Sequence, residues 1–393
     1  MAKQATGRRW VGVGSATGED SRAAGAAAAR AATTGDDPRL VVVLAAMSYD
    51  LPELLAGVRD VTGATPLVGC STHGEIWRDG PSDGTVLVVV LGGPGFAVTT
   101  AAFPGAAGRQ REAGTTVARS VRGADPERPH QALLLLTDSL LRDQEEILRG
   151  VYDVLGATVP FFGGAAADRW AMDRTFQMHD DQVLHGSVVG AMLRSDGPIG
   201  ISVGHGWRPV GEPMAVTRCD DGRVYTLDDE PALDTFLRRA GAPAEAYHDP
   251  VAFRRFALTH PIGIERRSGP EVRNLCTEVD IEGRTIGGGG HIPQGGLAWL
   301  MDGDADSILE AASTTCEEAV AALGGSEPLA LLVFGCSALR KVLGHDGTVL
   351  ESERIAKVAG DAPYAGFYTC GEIARTRGID GFHNQTHVVL ALA

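Results

Sequence analysis

Two glutamates occupy the same position in a motif that occurs twice in the chain. Residues 66–76 and 363–373 share Pro, Gly and Thr at equal offsets and both end in Gly-Glu-Ile, so Glu75 and Glu372 are equivalent. Each motif predicts a strand followed by a loop, and ligands gather at the carboxyl ends of strands in open α/β sheets. Two such carboxylates could bind an ammonium group or a cation. The alternative is that each glutamate binds backbone amides and holds its own loop.

A third, degenerate copy of the motif lies between these two, at residues 160–168. Its last residue, Asp168, is a further candidate for binding a charged group. Thr72 and Thr369 are weaker candidates, because a hydroxyl after a strand often only closes a turn. In all three copies an apolar run and a connecting segment precede Pro-x-x-Gly, which is typical of a repeated βαβ unit. We expect the three copies to form equivalent strand-to-loop elements.

Cys336 is the candidate nucleophile, because it follows a predicted buried strand and Arg340 lies four residues further on. A nearby cation lowers the pKa of a thiol and makes it nucleophilic. The alternative is a small buried thiol with a packing role. Cys70 and Cys370 stand at different offsets within their repeats, which argues against a symmetric metal pair.

Four histidines lie in motif-rich loops and are candidates for an axial haem ligand: His73, His205, His291 and His383. A haem needs one axial ligand and an apolar pocket, and no single histidine is favoured by the sequence. His383 and His387 have the spacing i, i+4, but in a strand these positions are about 13 Å apart, so a zinc site is not expected. Asn384 and Gln385 offer amide groups for hydrogen bonds.

Composition limits the class of partner. The chain of 393 residues has a formal net charge of −15, which disfavours binding to nucleic acid or to an anionic membrane. Signal-peptide and membrane-spanning patterns are missing from the sequence. The six cysteines contain no CxxC pair and are expected to be thiols. These features predict a cytoplasmic protein.

The order of apolar runs predicts an α/β or α+β fold, with mixed sheets built from repeated βαβ-plus-hairpin units in two packed halves. We expect a hairpin across residues 92–95 and a strand pair formed by residues 183–192 and 199–203. Nucleotide-binding glycine motifs at a strand-to-helix junction are missing, and residues 287–290 are expected to form a loop or tight turn. A change in composition places a domain boundary near residue 226, which gives domains 1–226 and 227–393.

Several motifs resemble the FIST family (F-box and intracellular signal transduction proteins). VGCSTHGE at 68–75, GGAAAD at 163–168 and GWRPVG at 206–211 resemble the FIST N-terminal domain. Four further motifs resemble the FIST C-terminal domain: PIGI at 261–264, FGCS at 334–337, FYTCGEI at 367–373 and HNQT at 383–386. The resemblance covers nearly the whole chain.

The resemblance implies a sensory protein that binds a small ligand, with amino acids the usual suggestion for the family. No output domain is recognised, so we expect the signal to pass to a separate partner. We expect Glu75, Asp168 and Glu372 to orient a charged group of the ligand, with Glu75, Glu372 and Asn384 in one cleft. There are two alternatives. One is a haem-based nitric oxide sensor, since some bacterial members of the family are described as haem proteins that respond to nitric oxide. The other is an acyl or amide hydrolase that uses Cys336.

Overall fold

The computed structural model describes residues 9–220, 222–266, 270–275, 278–288, 290–375 and 381–393. Cys276, and Gly289 of the predicted loop at 287–290, lie outside the described residues. Among the residues within these ranges, no helix combines the length and the apolar character needed to cross a bilayer.

The first unit (residues 10–92) alternates strands and helices. Its elements are β1 (Trp10–Ala16), α1 (Ser21–Ala32), β2 (Pro38–Ala45), α2 (Leu51–Thr62), β3 (Leu67–Ser71), β4 (Glu75–Trp77) and β5 (Val86–Gly92). Asp20 and Asp50 cap α1 and α2 by accepting hydrogen bonds from the backbone N–H of Ala23 and Glu53.

The second unit (residues 96–195) repeats this order. Its elements are β6 (Phe96–Phe103), α3 (Gln110–Val121), β7 (His130–Asp138), α4 (Gln144–Leu155), β8 (Phe161–Ala166), β9 (Gln177–His179), β10 (Gln182–Leu184) and β11 (Val188–Ser195).

The third unit begins with β12 (Ile199–Gly204) and is then interrupted by an inserted domain (residues 208–302). The strands of the inserted domain form one antiparallel sheet, in which the spatial order of the strands differs from their order in the chain. Its elements are β13 (Arg208–Asp220), β14 (Arg223–Leu227), β15 (Glu230–Pro231), α5 (Ala232–Arg239), a 3-10 helix (Ala244–Tyr247), α6 (Pro250–Ala257), β16 (Ile262–Ile264), β17 (Glu271–Arg273), β18 (Glu278–Asp280), β19 (Thr285–Gly287) and β20 (Leu297–Asp302).

The third unit resumes after the inserted domain and runs to residue 392. Its remaining elements are α7 (Ala305–Ala321), β21 (Ala330–Cys336), α8 (Leu339–Ala359), β22 (Tyr364–Thr369), β23 (Glu372–Arg375), β24 (Phe382–His383) and β25 (His387–Leu392). Helix α8 is kinked at Gly344, which has φ 65° and ψ −171°.

The three units have the same sheet topology. Their strand orders are β1-β5-β2-β3, β6-β11-β7-β8 and β12-β25-β21-β22, and in each unit the last pair is parallel. The predicted mixed α/β fold is therefore confirmed, and the segments before and after residue 226 pack against each other. The prediction that the three Pro-x-x-Gly copies form equivalent strands is also confirmed, because they lead into β3, β8 and β22.

Each sheet is extended by a strand that comes from another unit. Strand β4 of the first unit pairs with β22 of the third, β23 of the third pairs with β8 of the second, and β9 of the second pairs with β3 of the first. The three exchanges close a ring. Each Gly-Glu-Ile triplet therefore lies where the chain leaves its own sheet and enters another.

The inner faces of the three sheets share one apolar core. Phe334 of the third unit contacts Phe162 of the second and Phe367 of its own sheet, with ring centroids 5.9 and 5.6 Å apart. The helices cover the outer faces, two to each unit. Because β2, β7 and β21 are covered on both sides, they are continuous apolar runs.

The glycine of each Pro-x-x-Gly copy is required by close approach of the neighbouring parallel strand. In each copy a Cβ atom would clash with the carbonyl oxygen of the residue paired with the glycine. The separations would be 2.3 Å for Gly69 and Val43, 2.0 Å for Gly163 and Leu135, and 1.7 Å for Gly366 and Val333.

We expect Gly366→Ala to destabilise the protein by about 2–3 kcal/mol, because backbone must move to admit the methyl group. The matched control is Gly84→Ala, since a Cβ atom at Gly84 meets no described atom within 4 Å; its effect should stay within about 0.5 kcal/mol. Denaturant unfolding midpoints compare the two variants. Equal midpoints would contradict this explanation of the motif.

Two local pairings predicted from the sequence are wrong. Residues 92–95 do not close a hairpin, because β5 pairs with β1 and β2, whereas β6 pairs with β11. The strand at 199–203 pairs with β25 at the end of the chain, and not with residues 183–192. In both cases a partner distant in sequence replaces the nearest strand. Residue 226, the predicted boundary, lies within β14.

Candidate functional site

Glu75 is fully buried at the start of β4, and its carboxylate is satisfied by the loop around it. Oε1 accepts a hydrogen bond from Thr72 Oγ1 at 2.5 Å. Oε2 accepts from Ser82 Oγ at 3.0 Å and from the backbone N–H of Thr85 at 3.3 Å. Burial raises the pKa of Glu75 to about 7.

Glu372 is held in the same way at the start of β23. Its Oε1 accepts from Thr369 Oγ1 at 2.5 Å, and its Oε2 accepts from the backbone N–H and the hydroxyl of Thr386 at 3.1 and 3.0 Å. The Cys336 thiol also donates to this carboxylate, and burial raises the pKa of Glu372 to about 7. The repeated Thr-x-x-Glu therefore holds two strand-exchange loops.

The structure does not bring Glu75 and Glu372 to one cleft. Glu75 lies beside β22 in the third sheet, whereas Glu372 lies beside β8 in the second sheet. Both carboxylates are fully buried and point into hydrogen-bond networks of their own loops. A direct contact between either glutamate and a ligand stays a prediction, and their burial argues against it.

Asp168 also organises a loop. Its Oδ2 accepts hydrogen bonds from the backbone N–H of Asp173 at 2.8 Å and of Arg174 at 3.2 Å. Within this loop Arg169, Trp170 and Met172 have φ values of 58°, 66° and 52°. This left-handed conformation is unfavourable for such residues, and strained backbone of this kind clusters at functional sites.

Arg340 does not activate Cys336. Its guanidinium binds the His73 carbonyl and Asp83, both at 2.6 Å, and lies over the Tyr368 ring. Burial, followed by the charge of Glu372, raises the pKa of the Cys336 thiol well above its usual range. The suggested activation by Arg340 is wrong, and a neutral buried thiol disfavours the hydrolase alternative.

A cavity of about 580 Å³ opens where three parts of the molecule meet. The second unit contributes residues 139–146, which follow β7, and the third unit contributes residues 336–338, which follow β21. The inserted domain contributes Asn274, Glu278 and His291. The cavity thus lies at the carboxyl ends of parallel strands, where ligands bind in open α/β sheets.

Ion pairs join the inserted domain to the start of α4 beside this cavity. Arg273 is almost fully buried and pairs with Glu145 at 3.3 Å and with Glu271 at 2.9 Å. Glu145 also accepts a hydrogen bond from the backbone N–H of His291 at 2.7 Å, and Arg142 pairs with Glu278 at 3.1 Å. The position of the inserted domain therefore depends on charges at the cavity edge.

Among the predicted ligand-binding residues, Cys336 and Asn384 line the cavity, as does His291, one of the four histidines considered for haem. Asn384 Oδ1 accepts a hydrogen bond from the backbone N–H of Asn274 at 3.3 Å. Its neighbours in sequence point elsewhere: His383 Nε2 contacts the Ala374 carbonyl, and Gln385 Nε2 donates to the Leu258 carbonyl at 2.6 Å. His383 thus connects β24 to β23, and Gln385 connects the segment before β25 to the end of α6.

Sequence reasoning missed the segment after β7 and the aromatic residue Trp170. Ser139 follows β7 just as Ser337 follows β21, so the repeat itself was the available signal. The Ser139 hydroxyl donates to the Cys370 sulfur, and burial raises the pKa of the Cys370 thiol to about 12. Trp170 stands only two residues after the degenerate motif.

The cavity is a poor fit for haem. Its wall carries arginine, glutamate and asparagine side chains, whereas a porphyrin needs apolar faces. His291 is the candidate histidine in the cavity wall, whereas the His383 ring is occupied by a contact with a backbone carbonyl. Within the described ranges, no group of three or more His, Cys, Asp or Glu side chains could hold a metal ion. A Soret band from the purified protein would revive the haem alternative.

The architecture is that of an α/β protein with a polar cavity at the carboxyl ends of its parallel strands. The FIST N domain matches residues 39–230 and the FIST C domain matches residues 232–375. The chain belongs to the FIST family. FIST domains are sensory domains of signal transduction.

Similar proteins occur in bacteria and archaea. Uncharacterized proteins of two Mycobacterium tuberculosis strains, H37Rv and CDC 1551, are each 26% identical over 392 residues, which cover 96% of this chain and 97% of each relative. An uncharacterized protein of Methanocaldococcus jannaschii is 30% identical over 151 residues, which cover 35% of this chain and 28% of that protein. The mycobacterial similarity extends through all three units and the inserted domain.

Proposed function

We propose that the protein is a small-ligand-binding sensory protein of intracellular signal transduction, and that its ligand is a small polar metabolite such as an amino acid. The observation that carries this proposal is the cavity of about 580 Å³ between the second unit, the third unit and the inserted domain. Its volume lies in the range of small-molecule sites. Its wall supplies positively charged, negatively charged and amide side chains.

The position of the cavity supports a sensory role. A ligand there would contact the starts of α4 and α8 together with the inserted domain, so its binding would favour one arrangement of these parts. The ion pairs Arg142–Glu278 and Arg273–Glu145 cross the same junction. A change in this junction is a signal that a separate partner protein could recognise. The acidic charge and the free thiols support a cytoplasmic location.

A ligand screen tests the proposal directly. A molecule that binds only the native protein raises its unfolding temperature, by an amount that grows with the ratio of ligand concentration to Kd. The twenty amino acids are the first set of probes, followed by small carboxylic acids and amines. Failure of every probe to raise the unfolding temperature would contradict an amino-acid-sized ligand.

We expect Leu140→Trp to abolish the ligand-induced rise in unfolding temperature. Leu140 lines the cavity and is half-buried, so the larger indole should occupy ligand space. The matched control is Leu350→Trp, because Leu350 is an exposed leucine on α8. Calorimetric titration of a screened amino acid into both variants measures the effect. Equal affinities would place the ligand outside this cavity.

A further inference from the structure

Two polar groups in the cavity wall are buried and have no hydrogen-bond partner among the described residues. They are the indole Nε1–H of Trp170 and the hydroxyl of Ser337. Most buried polar groups are paired, so an exception requires an explanation such as a bound molecule. The indole N–H can only donate, and the hydroxyl can donate. A hydrogen-bond acceptor on a bound molecule would therefore satisfy both groups.

The two groups reach the cavity from separate elements. Trp170 belongs to the loop held by Asp168, in which the tryptophan itself has φ 66°. Ser337 lies between β21 and α8, and its side chain is 1% exposed. Trp170 is further fixed by an edge contact with His73, whose ring centroid is 5.6 Å away. A strained and packed loop thus places the indole at the cavity wall.

Three carboxylates of the wall are already paired within the protein. Glu145 binds Arg273 and the His291 N–H, and Glu146 binds Arg149 at 2.6 Å. Glu278 binds Arg142 and Arg223 at 3.1 and 3.3 Å. The two wall groups without a described partner, Trp170 Nε1–H and the Ser337 hydroxyl, can both donate a hydrogen bond. A ligand that satisfies them must present acceptor oxygens.

We propose that Trp170 Nε1–H and the Ser337 hydroxyl bind a carboxylate of the ligand. This inference rests on the proposed function and assigns the polarity of one part of the site. A carboxylate has two acceptor oxygens, and hydrogen bonds to an ionised acceptor are stronger than neutral ones. It can therefore satisfy donors that arrive from two different elements.

The first test observes the indole directly in the unmodified protein. Protein with 15N-labelled tryptophan is titrated with sodium acetate, with the amino acids, and with ethylammonium chloride, which has no acceptor. The Trp170 indole signal is assigned by its loss in Trp170→Phe. It should shift with acetate and with any amino acid that binds, and it should stay unchanged with ethylammonium.

The second test measures affinity in variants. Trp170→Phe keeps an aromatic ring but removes the N–H, and Ser337→Ala removes only a hydroxyl. Each should weaken binding of the carboxylate probe roughly tenfold or more. The matched controls are Trp207→Phe and Ser352→Ala, because both residues also carry a buried polar atom without a described partner. The controls should change affinity less than twofold.

The outcomes separate this inference from the proposed function. If an amino acid binds but the Trp170 signal does not shift and both variants bind it with the affinity of the unmodified protein, the carboxylate assignment is overturned and the sensory proposal stands. If acetate shifts the Trp170 signal but no amino acid binds, the assignment stands and the amino-acid proposal fails. If no probe produces either effect, both are overturned.

Discussion

The contribution of Glu75 and Glu372 to stability is expected to fall as the pH rises from 4.5 to about 7, and replacing both by Gln should remove it. Buried histidines such as His73, whose pKa burial lowers to about 4, act in the opposite direction, so the prediction concerns the difference between the variant and the unmodified protein. Burial raises the pKa of both carboxyls from 4.5 to about 7 in the folded protein. Folding therefore takes up protons in this window, so the stabilisation is complete below pH 4.5 and is lost as the pH passes 7. The difference between the pKa of the unfolded state and that of the folded state corresponds to roughly 3 kcal/mol of stability for each carboxyl.

Glutamine resembles the protonated carboxyl in shape and charge. At position 372 its amide nitrogen can donate to Thr369 Oγ1, while the Thr369 hydroxyl donates to the Gly335 carbonyl. At pH 4.5 the double variant E75Q/E372Q should match the unmodified protein, and at pH 8 it should be the more stable protein. Unfolding midpoints measured at intervals of half a pH unit give the difference.

The control for this experiment is Glu310→Gln, which changes an exposed carboxylate on α7. Its difference from the unmodified protein should stay within about 0.5 kcal/mol at every pH. A double variant that becomes less stable than the unmodified protein as the pH rises would show that the ionised carboxylates are favourable in the fold. The assignment of a raised pKa to both glutamates would then be wrong.

Arg273→Met should destabilise the protein by about 3 kcal/mol, because two carboxylates lose their buried cation. The loss is limited because Glu271 keeps Arg266 at 2.9 Å. Glu145 likewise keeps Arg149 at 3.8 Å. Arg273 is 1% exposed and pairs with Glu145 and Glu271. Burial by itself would raise the pKa of Glu271, but the charge of Arg273 lowers it below its usual value. Methionine keeps an unbranched side chain but removes both the charge and the hydrogen bonds that the guanidinium donates to two backbone carbonyls. Thermal and denaturant unfolding measure the loss.

Two comparisons show whether the charge is responsible. Arg208→Met removes the arginine of an exposed pair with Asp302 and should change stability by at most about 1 kcal/mol. Adding E145Q and E271Q to Arg273→Met should recover part of the loss, since the two side chains that faced Arg273 are then neutral. A triple variant as unstable as the single variant would assign the loss to packing.

The repeated unit could be predicted from the sequence because its determinants are local. A proline, a glycine at close approach and an apolar run recur in order, and each constrains its own strand. The pairing of β12 with β25, and of β4 with β22, could not be predicted in the same way. These pairs join residues that are far apart in the chain, and strand patterns do not specify which distant edge they meet. The local hairpin at 92–95 was favoured instead.

The sequence predicted only a few residues of the candidate site. The motif directed attention to Glu75 and Glu372, which are conspicuous because charged residues are seldom buried. Their partners are hydroxyls and backbone amides, and the sequence cannot distinguish such a network from a ligand contact. Trp170 and Ser337 acquire their significance from unpaired atoms, which exist only in three dimensions. Cys336 was found because it ends a strand at the cavity.

The closed ring of exchanged strands affects how the chain can be made and divided. During synthesis the first unit lacks the strand supplied by residues 177–179 until the second unit has emerged, and the second sheet lacks residues 372–375 until β23 itself has been made. No fragment that stops short of β23 can complete all three sheets, and its open strand edges would favour association between chains. The ring of exchanged strands can therefore close only after β23 has been synthesised.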